Sequence, residues 1–285
     1  TNLFRVTTDT FGSQGCRRVT RTLIFLSVSS TPLPVFVAHL YVWIQRLSKS
    51  DEDIDILVSE VGPRDGLQSI KPILPLDAKK AWILAEAAAG VREIEVGSFV
   101  PASVLPQLAD TAEVVAFART IPDLEVAVLA PNARGAENAI KAGAHKITLP
   151  LSVSESHSLA NLKRTHDQVI DEATRIAQMI RELPEDKRPH FEGSLSTAFG
   201  CTIEGQIPHT QIARLAERLK KAGCDEIGIS DTTGYADPLA VRQMVKLVRA
   251  AVGDEAVTGI HLHNTRGLGL ANGFATPIGS IPPVG

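Results

Sequence analysis

At 285 residues, with 44% hydrophobic and 21% charged side chains, the chain is long enough for one large α/β domain and too apolar for wholesale disorder. A formal net charge of -3, with no long basic run, excludes the electrostatic footprint of a nucleic-acid binder. Three widely spaced cysteines, Cys16, Cys201 and Cys224, exclude a disulfide framework or a paired zinc motif and point to a reducing compartment.

Residues 1–50 differ in composition from the remainder of the chain. They carry Asp9 as their one acid against Arg5, Arg17, Arg18, Arg21 and Arg46, and they read as an N-terminal extension. An Arg- and Ser/Thr-rich, acid-poor leader also fits an organellar transit peptide. The compartment is then the mitochondrial matrix, and otherwise the cytoplasm of a bacterium. The apolar stretch from Thr22 to Ile44 is broken by Pro32 and Pro34, so a membrane span is not expected.

From Asp55 onward, apolar runs and helical stretches alternate. "DILVSEVG" is an apolar run closed by a Gly-Pro turn and predicts the first buried strand. "LDAKKAWILAEAAAG" predicts a helix stopped by Gly90. "REIEVGSF" is the second strand, "LADTAEVVAFART" a helix, and "LEVAVLAPN" the third strand. "ARGAENAIKAGA" is a short helix closed by Gly143, and "HKITLPLS" is the fourth strand. Residues 161–183 then predict one long amphipathic helix. "RPHFEGSLSTAFG" is the fifth strand, followed by a helix ending at Gly223. "DEIGISDTTG" is the sixth, Pro238 opens the next helix, and "EAVTGIHLHN" is the seventh strand.

Such a run of βα units with short connections predicts a TIM (β/α)₈-type barrel over residues 51–272, with seven units evident. Residues 273–285 read as a Gly/Pro-rich tail without a strand. A doubly wound open sheet is the alternative; it is disfavoured because "VGPRDG" is not a Gly-rich phosphate loop.

In a barrel of this kind, chemistry sits at the C-terminal ends of the strands. That rule selects Arg64 and Asp65, Glu95 and Ser98, Asn132, Ser196 and Thr197, Asp231 and Thr232, and His261 and His263. Residues two apart on a strand share a face, so both histidines reach one point. Adding Asp65 makes a two-histidine, one-carboxylate set suited to a divalent cation. The plainer reading is a chance His-x-His with one ring capping a helix.

Gly62-Pro63 and Gly66 fix the backbone around Arg64, so its guanidinium has an aim, and a fork of this kind suits a developing oxyanion. A surface ion pair with Asp65 is the alternative. Glu95 sits in a buried strand and needs a partner, for which Arg64 on the neighbouring strand is the obvious choice; otherwise it faces water. Asp231 precedes a helix, where Thr232 and Thr233 read equally well as caps. Cys201 and Cys224 read as ordinary half-buried thiols.

"EVGPRDGLQ", "IEVGSFV", "LAPN", "FGCTIEG", "SDTTG" and "HLHNTRGLGLAN", in this order from Ile56 to Asn272, resemble the 3-hydroxy-3-methylglutaryl-CoA (HMG-CoA) lyases. These are metal-dependent lyases with an Asp-Arg-Glu signature on a TIM barrel. The resemblance implies retro-Claisen cleavage of HMG-CoA to acetyl-CoA and acetoacetate, a step of leucine catabolism and ketone body formation. It implies Mg²⁺ or Mn²⁺ on Asp65, His261 and His263. Catalytic roles fall to Arg64, Glu95, Asp231 and His261, and substrate contacts to Arg64, Gln68, Ser98, Asn132 and Thr232. The implied partner is a small acyl-CoA, with no nucleic acid or membrane, on a homodimer. A lyase for another 3-hydroxyacyl-CoA, such as citramalyl-CoA, is the near alternative.

The chain departs from the family at its end. Family members have an eighth strand with an asparagine metal ligand and then a glycine-rich loop with a cysteine. No cysteine follows Cys224 here, and neither Asn264 nor Asn272 matches that ligand. The expectation is an open wall between the seventh and first strands, two exposed strand edges, and the weak or absent turnover of a truncated remnant. The alternative is that "PVFVAHLYVW" fills the gap.

Overall fold

The computed structural model describes the backbone of Phe4–Thr7 and residues 56–253, 256 and 259–276. These lie in one compact unit formed by Thr1–Thr10 and Ile56–Gly285. The remainder of the expected leader, the "PVFVAHLYVW" segment within it, and residues 277–285 of the expected tail lie outside the described residues.

The strands are β1 (Phe4–Thr7), β2 (Leu57–Glu60), β3 (Glu93–Ser98), β4 (Glu125–Leu129), β5 (Lys146–Ser152), β6 (His190–Ser196), β7 (Glu226–Ser230) and β8 (Ile260–Leu262). They close a barrel in chain order. β2 to β8 are the seven predicted strands, each parallel to the next. β1 runs antiparallel to both β2 and β8, with Phe4 opposite Glu60 and Leu262, and Val6 opposite Val58 and Ile260. This corrects the expectation of an open wall. A four-residue strand from the chain's start pairs the two edges that parallel βα repetition leaves free.

The helices are α1 (Leu76–Ala88), α2 (Thr111–Ala118), α3 (Ala133–Ala142), α4 (Glu155–Leu162), α5 (His166–Arg181), α6 (His209–Ala222), α7 (Pro238–Val252) and α8 (Gly269–Ala275). Each long helix turns one stripe inward: Val169, Ala173, Ile176 and Ile180 on α5, Ile212, Leu215 and Leu219 on α6, and Val241, Val245 and Val248 on α7 are all buried. They pack with Ile147, Leu149, Phe191, Leu195, Ile227 and Ile229 from the strands in one core. Each Val, Ile, Leu or Phe side chain among them contributes roughly 1.5–3 kcal/mol by leaving water. Among the described residues no helix is long and apolar enough to cross a membrane.

Two elements differ from the sequence reading. The long helix expected over 161–183 is two helices, because Lys163 takes the left-handed conformation (φ 56°) and Thr165 starts α5 with a reciprocal capping box to Gln168. The expected tail opens as helix: α8 continues to Ala275 despite Gly269 and Gly273.

Charge enters the barrel near the strands' N-terminal ends. Lys146 Nζ lies 2.6 Å from Glu226 Oε2, 3.5 Å from Glu192 Oε2 and 3.8 Å from Glu93 Oε1, and all four residues are buried. The opposite end of the strands carries the site.

Candidate metal centre

Past β2, the chain makes a single wide turn over Gly62–Gly66, with Asp65 N–H donating to Val61 O at 2.7 Å. A side chain at Gly62 would crowd its neighbours there. A Cβ would meet Glu60 Oε1 at 2.6 Å and Trp82 Cζ2 at 2.8 Å, and Glu60 Oε1 accepts from Gly62 N–H at 2.6 Å. The turn delivers Arg64 and Asp65 into the barrel mouth.

Arg64 is buried between two carboxylates. Its Nε and Nη2 donate to Glu95 Oε2 at 2.8 and 2.7 Å, and its Nη1 donates to Asp65 Oδ1 at 2.9 Å. Gln68 Nε2 also donates to Asp65 Oδ1. One oxygen of Asp65 is thus held by Arg64 and Gln68, which leaves Oδ2 for the histidines. Burial opposes the charge on Asp65, but the Arg64 guanidinium and the adjoining His261 and His263 rings outweigh it and hold the carboxyl far below the usual range. Glu95 Oε1 is buried and has no hydrogen-bond partner among the described residues.

His261 lies in β8 and His263 just beyond it. His263 Nε2 is 3.1 Å from Asp65 Oδ2 and 3.1 Å from His261 Nε2, and His261 Nε2 is 3.4 Å from Asp65 Oδ2. His263 Nδ1 lies 3.0 Å from Thr232 O, a carbonyl that can only accept. The proton is therefore assigned to Nδ1, and a lone pair on Nε2 points into the cluster. The lone pair of His263 Nε2 and the charge on Asp65 Oδ2 then face each other at 3.1 Å, which is repulsive unless a cation sits between them. A proton relieves the same repulsion: burial lowers His263, but Asp65 outweighs it and raises the imidazole. His261 is lowered, chiefly by burial.

The donor set fits a divalent ion. Nitrogen and oxygen ligands bind such ions at about 2.0–2.2 Å, so neighbouring ligands on an octahedral ion stand roughly 3 Å apart. All three ligand atoms lie within 4.8 Å of one another, and among the described residues this is the group of histidines, cysteines and carboxylates that does so.

The other expected site residues divide. Asp231 is buried, and its Oδ1 accepts from Tyr235 and Ala236 N–H at 2.9 and 3.2 Å. Its Oδ2 has no partner among the described residues, and burial raises the carboxyl. Thr232 Oγ1 accepts from Thr197 N–H at 2.8 Å. Ser98 has a buried Oγ without a partner among the described residues. Asn132 caps α3, its Oδ1 accepting from Gly135 N–H at 2.9 Å. Ser98 and Asn132 line a cavity of about 780 Å³ between α2 and α3, with Arg134 and Lys141, and none of Arg64, Asp65, His261 and His263 lines it. Cys201 and Cys224 are fully buried rather than half-buried. Sequence reading overlooked the backbone of Thr197, a non-glycine residue at φ 59°; nothing in residue type signals it.

The model of the family described as HMGL-like matches residues 55–277. The chain belongs to the HMGL-like family. This HMGL-like chain is 35% identical over 217 residues to the cytoplasmic 3-hydroxy-3-methylglutaryl-CoA lyase of Rattus norvegicus, covering 76% of itself. It spans 62% of that relative's length, less than two thirds. It is 35% identical over 230 residues to the (R)-citramalyl-CoA lyase of Chloroflexus aurantiacus, covering 77% of itself and 71% of that protein. An HMG-CoA lyase of Acinetobacter baumannii, solved with coenzyme A and 3-methylmalate, superposes with a TM-score of 0.69 at 37% identity, over 76% of this chain and 69% of that one.

Proposed function

We propose that the HMGL-like chain is a divalent-metal-dependent carbon–carbon lyase that cleaves HMG-CoA to acetyl-CoA and acetoacetate. The observation that carries this reading is the convergence of Asp65 Oδ2, His261 Nε2 and His263 Nε2 beside the Arg64 guanidinium. The relatives' names supply the substrate class.

In this reading Asp65, His261 and His263 hold Mg²⁺ or Mn²⁺. When bound, the ion chelates the substrate and acidifies its 3-hydroxyl. Asp231 Oδ2, an acceptor without a partner among the described residues, takes the 3-hydroxyl proton. The O–H electrons form the new ketone, and the C2–C3 pair leaves on acetyl-CoA as its enolate. Arg64 faces the enolate oxygen, where a planar fork stabilises delocalised negative charge. Glu95 grips Nε and Nη2 of Arg64 and keeps that fork aimed. Gln68 holds Asp65 Oδ1, so that Oδ2 points inward. The proton now on Asp231 passes to C2, which completes acetyl-CoA and restores the carboxylate.

A second reading replaces HMG-CoA with citramalyl-CoA, supported by the 35% identity to the Chloroflexus aurantiacus lyase. One experiment tests both. The purified chain is given each thioester with Mg²⁺, Mn²⁺ or a chelator, and the released ketoacid is measured. Turnover of HMG-CoA that stops with chelator and is absent in His261→Ala is expected. Metal-independent turnover, or none with either thioester, refutes the proposal.

A further inference from the structure

Thr197 is fully buried and stands at φ 59°, in the left-handed region. A β-branched residue there is an outlier, and such strain persists only where the surroundings over-determine it. Here they do. Thr197 N–H donates to Thr232 Oγ1 at 2.8 Å, and its Oγ1 donates to Ser196 O at 2.6 Å. The same oxygen lies 2.8 Å from Ser152 Oγ and 3.4 Å from Ser154 N. These contacts from β5 and its following loop keep Thr197 where it is.

The strained amide donates to the Thr232 hydroxyl, and Thr232 has a second tie. Its carbonyl accepts from His263 Nδ1 at 3.0 Å. One residue therefore links the end of β6 to the imidazole at the end of β8. The Thr232 carbonyl decides which ring nitrogen carries the proton, and so which one offers a lone pair to the centre. A carbonyl in a loop after β7 has no strand pairing to orient it. The hydrogen bond from Thr197 supplies that orientation from the neighbouring strand.

We infer that Thr232 is a positioning residue for His263, with Thr197 as its strained anchor. The inference rests on the metal reading above and adds a part to it. Removing the hydroxyl at position 232 loosens the carbonyl, lets the imidazole change tautomer, and weakens the ion's hold with no ligand altered.

The test uses the purified full chain and Mn²⁺ alone, with binding followed by the electron paramagnetic resonance of the free ion. Thr232→Val keeps the shape and removes the acceptor, whereas Thr232→Ser restores it. The expected loss of Mn²⁺ affinity is about tenfold or more for the valine variant and under about twofold for the serine variant. Ser158→Ala, which removes a buried hydroxyl bond to Arg164 O, is the control for general destabilisation and keeps wild-type affinity. Circular dichroism confirms that each variant is folded at the titration temperature. Equal Mn²⁺ affinity in wild type and Thr232→Val, or equal loss in the valine and serine variants, overturns the inference and leaves the metal reading standing. A wild-type chain that does not bind Mn²⁺ overturns both. A measurement on the wild type alone guards against a valine variant that fails to fold: nitrogen NMR of the metal-free protein, at a pH where the ring is neutral, shows His263 with its proton on Nδ1. A proton on Nε2 alone overturns the inference.

Discussion

Arg64 is the residue on which position and chemistry meet. It is buried, and three of its donor contacts go to carboxylates on either side: Nε and Nη2 to Glu95, Nη1 to Asp65. A lysine reaches the same region as a point charge but cannot serve both carboxylates in one plane. Arg64→Lys therefore retains Mn²⁺, because Gln68 still holds Asp65 Oδ1 and both imidazoles stay in place, but loses roughly 10²–10³-fold in kcat. Parallel Mn²⁺ titration and turnover assays check this. A variant with near wild-type kcat removes Arg64 from the reaction. The elements of this constellation that a reader can draw from the sequence are those set by short-range rules. Period-two spacing on a strand puts His261 and His263 on one face, and a glycine-proline turn signals where Arg64 and Asp65 emerge. What spacing hides is where a side chain's hydrogen bonds go once non-local partners arrive. Asn132 spends its carbonyl on the first turn of α3, and Thr232 spends its hydroxyl on an amide 35 residues away.

Between α4 and α5 the same contest plays out for a whole element. Hydrophobic periodicity runs on through residues 161–183 and argues for one helix. Thr165 overrides it, because its hydroxyl accepts from Gln168 N–H while the Gln168 side chain accepts from Thr165 N–H. Satisfying two otherwise orphaned donors makes a helix start here cheaper than a continued helix. The break forces Lys163 to φ 56°, a position that glycine usually fills. Lys163→Gly removes the Cβ clash and forfeits a hydrogen bond from Nζ to Ala160 O that is exposed. The balance is a gain of about 0.5–1 kcal/mol, tempered by the freedom glycine adds to the unfolded chain. A higher urea midpoint with an unchanged slope is the expected signature, and a lower midpoint shows that the exposed Lys163 bond outweighs the strain. β1 is the element that periodicity cannot announce. Four residues with an antiparallel pairing lie beyond any pattern shared by the βα units, so the seven-unit reading was legible while the closure was not.

On the scale of the barrel, the two ends of the strands divide the work. The C-terminal mouth carries converging acceptors suited to a cation, an arrangement unfavourable for stability on its own. The N-terminal half sets one ammonium, that of Lys146, among the carboxylates of Glu93, Glu192 and Glu226. The charged cluster and polar side chains take up the lumen near this end, with Thr148 Oγ1 donating to Glu192 Oε2 at 3.1 Å and Ser194 Oγ 3.0 Å from Ser230 Oγ, and they leave no room for the stacked branched side chains that fill many such barrels. Gly228 shows the limit directly, since a Cβ there would overlap the Glu192 carboxylate. Charge pairing therefore holds this end of the lumen, through a Lys146 ammonium that touches three carboxylates. Lys146→Met removes that ammonium while keeping most of its length. Three buried carboxylates then lose a shared counter-charge, at a cost of about 3–5 kcal/mol. Adding Glu226→Gln removes one of the three carboxylate charges and recovers part of the loss, because the two sites are coupled through a 2.6 Å contact. Equilibrium urea unfolding of the two single variants and the double variant measures both effects. Since the substitution lies at the strand ends remote from Asp65, His261 and His263, Mn²⁺ affinity in the folded fraction stays at its wild-type level. A Lys146→Met protein that unfolds at the wild-type midpoint refutes the claim that charge pairing holds the lumen. One that stays folded but loses Mn²⁺ shows that base and mouth are coupled rather than separate.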